Sequence, residues 1–80
     1  MHVAVEISLY PLAEDFIPLI QDFIDRLRSH AGLRVQTNSM STQVSGDYAK
    51  VMAALQTEIA ATFAGDCRSV FVMKVLGGGD

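Results

Sequence analysis

The sequence predicts an α+β sandwich in which four antiparallel strands, in the spatial order 4-1-3-2, carry two helices on one face. Three observations predict it. Stretches with period-two apolar alternation and stretches with three-and-four spacing follow one another as strand, helix, strand, strand, helix, strand. The second and third strands are so close in sequence that they must form a hairpin. Right-handed crossovers between the remaining elements then lead to one topology, the ferredoxin-like βαββαβ sandwich.

Each element has a local reason. From His2 to Tyr10, Val3, Val5, Ile7 and Leu9 alternate with His2, Ala4, Glu6, Ser8 and Tyr10, the pattern of a half-buried strand. Beyond Pro11, Phe16, Leu19, Ile20, Phe23, Ile24 and Leu27 recur at helical spacing, with Asp15, Asp22, Asp25 and Arg26 on the opposite side. This helix is expected to end near Gly32, a favourable C-terminal glycine. Leu33, Val35 and Thr37 alternate in the second strand, and Thr42 to Ser45 form the third. Asp47, after Gly46, is a good N-cap for a second helix carrying Val51, Leu55, Ile59 and Phe63 on one face. Gly65-Asp66 closes that helix, and Ser69 to Leu76 form a last strand whose two faces are both apolar. The domain thus spans residues 1–76, followed by a flexible glycine-rich tail over 77–80.

Eighty residues suffice for one domain, and a domain this small buries only about three fifths of its unfolded surface, so it is marginally stable alone. The single cysteine, Cys67, cannot form an internal disulfide, and no Cys/His spacing matches a structural zinc site. Self-association is the remaining staple. A homodimer or homotetramer is expected, formed through the open sheet face or through strand edges, because the last strand offers that face apolar residues in either register. The first residues lack a basic leader, a long apolar core and a cleavage site, so no secretory signal is expected. With no membrane-length apolar stretch and a lone thiol, the expected setting is the cytoplasm. The net charge is -3 and the six Lys/Arg are scattered, which argues against nucleic-acid binding and tolerates a cationic ligand better than an anionic one.

The run Thr37-Asn38-Ser39-Met40-Ser41-Thr42 is unusually rich in hydroxyls and amide for a chain that is half hydrophobic. The topology brings it together with Ser8 and Tyr10 of strand one and with Cys67 to Ser69 at the same sheet edge. The turn Leu12 to Asp15 is expected to cover that edge, and the helix N-terminus to add backbone donors. These residue types suit a planar aminopyrimidine. Asn38 can donate and accept at once, the hydroxyls of Ser8, Ser41 and Thr42 take either role, and Met40 or Tyr10 can lie against a ring face. Glu6, on the same strand face as Ser8, could balance a positive charge on the ligand. A plainer reading stands beside this one. Ser, Thr and Asn between strands commonly bond their own backbone in turns, Glu6 suits a solvated position or an oligomer salt bridge, and Met40 suits the core. His2 and His30 suggest no chemistry, and no neighbouring group marks Cys67 as a nucleophile.

At Ser8-Leu9-Tyr10-Pro11-Leu12, at Asp15-Phe16-Ile17, and at Thr37-Asn38-Ser39-Met40-Ser41-Thr42 with Gly46 following, the chain resembles the YkoF-like family of thiamin- and hydroxymethylpyrimidine-binding proteins. The resemblance covers nearly the whole chain. It implies a ferredoxin-like domain that holds the pyrimidine end of thiamin, or of its hydroxymethylpyrimidine precursor, without transforming it and without a cofactor or metal. Tandem members of the family carry two such domains, so this single domain would need a second copy to rebuild that arrangement. In one place it departs from the family pattern. Asn38 stands where an acidic residue is expected, and a neutral amide makes weaker, less charge-selective hydrogen bonds than a carboxylate.

The function expected is therefore a thiamin or hydroxymethylpyrimidine carrier in salvage or transport, with Glu6, Ser8, Tyr10, Asn38, Met40, Ser41 and Thr42 as its ligand contacts. The alternative is an oligomeric structural or regulatory interaction domain with no small-molecule ligand. An enzyme is the weakest reading. An acylphosphatase would need an arginine in a glycine-rich loop after strand one, where this chain has Tyr10-Pro11-Leu12-Ala13-Glu14, and there is no Cys-x-x-Cys pair for copper transfer.

Overall fold

A computed structural model of the chain describes residues 1–79. The elements are β1 (His2–Pro11), α1 (Ile17–Arg28), β2 (Arg34–Thr37), β3 (Thr42–Asp47), α2 (Tyr48–Phe63) and β4 (Ser69–Gly77). All strand pairs are antiparallel, and the order β2-β3-β1-β4 is the predicted one. Gly77 pairs with Val3 inside β4, so the strand runs one residue into the expected tail. The last residue of that tail, Asp80, lies outside the described residues.

Alternation along β1 divides the molecule into two faces. Val3, Val5, Ile7 and Leu9 are buried beneath the helices with Phe23, Leu27, Val44, Val51 and Leu55. Ala4, Glu6, Ser8 and Tyr10 point to the uncovered face. On β4 the pairing puts Phe71, Met73 and Val75 beside the buried residues Leu9, Ile7 and Val5. The helices, however, pack on β1, β2 and β3. Phe71 is drawn under them, with its ring centroid 4.9 Å from that of Phe23 and 5.5 Å from that of Phe63. Met73 and Val75 remain 42% and 47% exposed, so β4 shows apolar side chains on both of its faces.

Two local differences from the sequence reading have simple causes. Helix α1 stops at Arg28 with Ser29 as C-cap, earlier than expected. Gly32 serves the turn into β2, where its φ of 81° is open to glycine at little cost. The second helix buries Val51, Ala54, Leu55 and Glu58, while Phe63 is half exposed. Its N-cap is as predicted, with the Asp47 carboxylate accepting from the Lys50 amide.

Glu58 was missed by the sequence reading and it ties the helices together. Only 7% exposed, it accepts from Arg26 Nε at 2.8 Å and lies 2.6 Å from His30 Nε2. Arg26 also reaches the Thr62 hydroxyl and the Glu58 carbonyl. The hydrogen bond from His30, and those and the charge of Arg26, outweigh burial and hold the Glu58 carboxyl below its ordinary range. The signal lay in the spacing. Arg26 and His30 are four apart on one helix, as are Glu58 and Thr62 on the other, so each pair presents one face.

Candidate ligand-binding site

A cavity of about 410 Å³ opens at the sheet end where β1 finishes and the β2–β3 hairpin turns. Its size falls within the range of small-molecule sites. Apolar side chains of the first turns of α1 (Phe16, Ile20, Phe23, Ile24), with Ile7 and Leu9 of β1, form the greasy part. Ser8, Tyr10 and the whole run Thr37–Thr42 supply the polar part. The helical residues were read from the sequence only as core. A residue facing a core also faces any gap left in it, and periodicity does not distinguish the two.

The hairpin is built by its own side chains. Asn38 N–H donates to the Ser41 carbonyl at 3.1 Å, and the Asn38 Oδ1 accepts from the amides of Met40 at 2.8 Å and Ser41 at 3.0 Å. This is the plainer turn-forming role, and it changes what Asn38 can offer. Both lone pairs of its carbonyl are occupied, so the amide retains only its two N–H donors. The expectation that Asn38 donates and accepts at once is corrected accordingly.

The hydroxyls divide in a complementary way. Thr42, 5% exposed, faces the helices, and its Oγ1 lies 3.2 Å from that of Thr37. One of the pair donates to the other, leaving a single hydroxyl hydrogen for a further partner. Ser8 donates to the Met40 carbonyl at 3.4 Å, and Ser41 donates to Glu6 Oε2 at 3.2 Å, so both serine oxygens keep free lone pairs. The rim therefore offers donors from Asn38 and the threonine pair and acceptors from the serines, beside an apolar slot.

Of the seven predicted ligand contacts, six line this cavity: Ser8, Tyr10, Asn38, Met40, Ser41 and Thr42. Glu6 does not. It lies on the uncovered face, with Lys74 Nζ 3.7 Å from one oxygen and the Ser41 hydroxyl on the other. Met40 is 85% exposed at the hairpin tip, contrary to the core reading, and Tyr10 is half exposed. Cys67 and Arg68, expected at this edge, line a separate cleft with Leu12, Ala13 and Asp66. The backbone there is tied by a bond from the Leu12 amide to the Arg68 carbonyl at 2.8 Å. Helix α1 has Pro18 in its first turn and no side-chain cap, so it brings fewer amide donors than a helix start otherwise would. Among the described residues no group of His, Cys, Asp and Glu is placed to hold a metal ion, and no helix is long and apolar enough to cross a membrane.

Comparison with known proteins agrees with this architecture. The model of the YKOF-related family matches residues 2–63. Among solved structures, a hypothetical protein of Methanocaldococcus jannascii superposes with a TM-score of 0.82 at 24% identity, over 99% of this chain and 82% of that one. A protein of Streptococcus pneumoniae gives 0.74 at 15% identity, over 98% and 88% of the two chains. A candidate thiamine biosynthesis/salvage protein of Thermotoga maritima gives 0.68 at 24% identity, over 94% and 82%. At these identities the likeness is one of fold. No curated protein matches the chain.

Proposed function

This chain belongs to the YKOF-related family, and on that premise we propose that it binds thiamin or its hydroxymethylpyrimidine precursor without transforming it. The cavity at the hairpin carries this reading. An aminopyrimidine presents ring-nitrogen acceptors beside an exocyclic amine donor on a flat apolar body. The Asn38 N–H groups and the free threonine hydrogen meet the acceptors, the oxygens of Ser8 and Ser41 receive the amine, and the slot between Leu9 and Phe16 takes the ring. Tyr10 and Met40 close over the exposed edge. The thiamine biosynthesis/salvage description of the Thermotoga maritima protein supports the same ligand class. Salvage or transport in the cytoplasm is the proposed setting, a compartment that suits the lone thiol of Cys67.

The test is thermal unfolding with thiamin, with hydroxymethylpyrimidine, and with an unrelated pyrimidine as control. A ligand at ~100 times its dissociation constant adds about 2.7 kcal/mol, which raises the midpoint of a domain this size by roughly 10 °C or more. No rise with either ligand, in folded protein, would remove the proposal and leave the interaction-domain reading.

Self-association accompanies this function in the proposal. Strand β4 is nine residues long, lies at a sheet edge, and exposes Val70, Val72 and Leu76 on one face and Met73 and Val75 on the other. Its only charged side chain is Lys74, little protection for an edge of that length. A second copy pairing along β4 gives the homodimer, and stacking of open faces would extend it to a homotetramer.

A further inference from the structure

We propose that the cavity selects the unphosphorylated ligand and rejects its phosphate ester. This rests on the aminopyrimidine reading above and states which chemical form of that ligand the site takes. Among the described residues, no Lys, Arg or His lines the cavity. The charge closest to it in the hydrogen-bond network is negative, the Glu6 carboxylate bonded to the Ser41 hydroxyl.

Each of the six Lys and Arg side chains is placed outside the cavity. Arg26 is held by Glu58 and Thr62 of α2. Arg28, Arg34 and Lys50 sit at the end of α1, the start of β2 and the start of α2, all at the sheet end opposite the hairpin. Lys74 is on the uncovered face beside Glu6. Arg68 lines the neighbouring cleft, where Asp66 accompanies it.

In the hydroxymethylpyrimidine ester only one methylene and one oxygen separate the ring from phosphorus. A ring seated in the slot therefore brings the phosphate to the cavity with it. That group carries about -1.5 to -2 charges at neutral pH. Without a partner its desolvation costs several kcal/mol, whereas the neutral alcohol makes the same ring contacts without that penalty. In a reaction sequence, the protein would thus hold the alcohol ahead of phosphoryl transfer, and a phosphotransferase would act on it only after release.

The experiment is calorimetric titration of the purified chain with hydroxymethylpyrimidine, its phosphate monoester, and its acetate ester. The acetate adds comparable bulk with no charge, which separates electrostatics from size. Expected is binding of the alcohol, binding of the acetate within about tenfold of it, and binding of the phosphate weaker by about a hundredfold or more. A phosphate ester bound within about threefold of the alcohol overturns the inference and leaves the function proposal standing. Rejection of the acetate as strong as that of the phosphate overturns it too, since size would then be the cause. Failure of the alcohol itself to bind overturns this inference, and the function proposal falls with it only if thiamin also fails to bind.

Discussion

Thr42→Val isolates the buried hydroxyl of the candidate site, because it exchanges one OH for a methyl while keeping the β-branched shape that β3 requires. The Thr42 side chain lies between Ile7 and Thr37 across the sheet and is almost fully buried. Removing its hydroxyl forfeits one neutral hydrogen bond, worth about 1 kcal/mol, and relieves a buried polar group of a desolvation cost of about the same size. The exposed Thr37 hydroxyl turns to water. Stability should therefore change by less than about 1 kcal/mol, and the melting midpoint by less than roughly 8 °C. Binding has no such compensation. If Thr42 accepts from Thr37 and gives the pair's one free hydrogen to the ring, losing its hydroxyl costs about 1 kcal/mol, or roughly fivefold in affinity for hydroxymethylpyrimidine by calorimetry. Thr37→Val leaves that donor in place but removes the bond that orients it, so it should cost less, and the double variant should differ from the sum, since the two hydroxyls are coupled. Wild-type affinity in both single variants, with the fold intact, would refute the assignment of this pair to the site.

Other expectations concern the turn, the helix clamp and the edge strand. Asn38→Ala removes the acceptor of two exposed turn hydrogen bonds and should cost about 1 kcal/mol by chemical denaturation. Asn38→Asp keeps the acceptor and should stay within about 0.5 kcal/mol of wild type, so an equal loss in both would contradict the turn role. Glu58→Gln weakens the Arg26 and His30 contacts and should cost about 2 kcal/mol. Because the folded-state pKa of Glu58 is depressed, its contribution is present above the ordinary glutamate range and is lost as the pH falls through the lower folded value. Wild-type stability should thus fall in that acid window more steeply than that of Glu58→Gln, and parallel curves would count against the clamp. Val72→Lys with Met73→Lys charges both faces of β4 and should give a monomer by light scattering, where wild type should give a dimer or tetramer. A monomeric wild type at tens of micromolar would defeat the β4 proposal.

How much was legible in advance depended on whether local pattern or three-dimensional proximity set each feature. The strand order followed from alternation and chain connectivity, and Asp47 was readable as a cap because capping is a local geometry. The site was legible as a cluster, since antiparallel pairing brings the end of β1 and the hairpin together whatever the details. The role of each member was not. Glu6 and Ser8 share a strand face and both meet the hairpin, yet Ser8 lines the cavity while Glu6 turns to Lys74, a distinction with no trace in a period-two pattern. Asn38 was ambiguous for a different reason. The same amide suits a turn former and a ligand group, and here its Oδ1 is taken by the backbone of the turn. The Glu58 clamp escaped because it joins residues about 30 positions apart, where only the matched four-residue spacings on two helices hint at it.

The division of β1 into two faces explains how so short a chain sustains both a cavity and an open apolar-edged sheet face. One set of alternate residues forms the core and the other the polar middle of the open face, and at the end of the strand both sets, Ile7 and Leu9 with Ser8 and Tyr10, reach the cavity. The hairpin connects them. Ser41 lines the cavity and donates to Glu6, which meets Lys74 of the edge strand, giving a continuous polar path from the site to β4. Beneath the hairpin, buried Phe23 and Ile24 face the cavity. In a domain with so little core to spare, unfilled volume beside buried aromatic and aliphatic groups is a stability cost. In the proposed function a bound ring would offset that cost by restoring the missing contacts, and a second copy on β4 would cover the apolar surface that the helices leave bare.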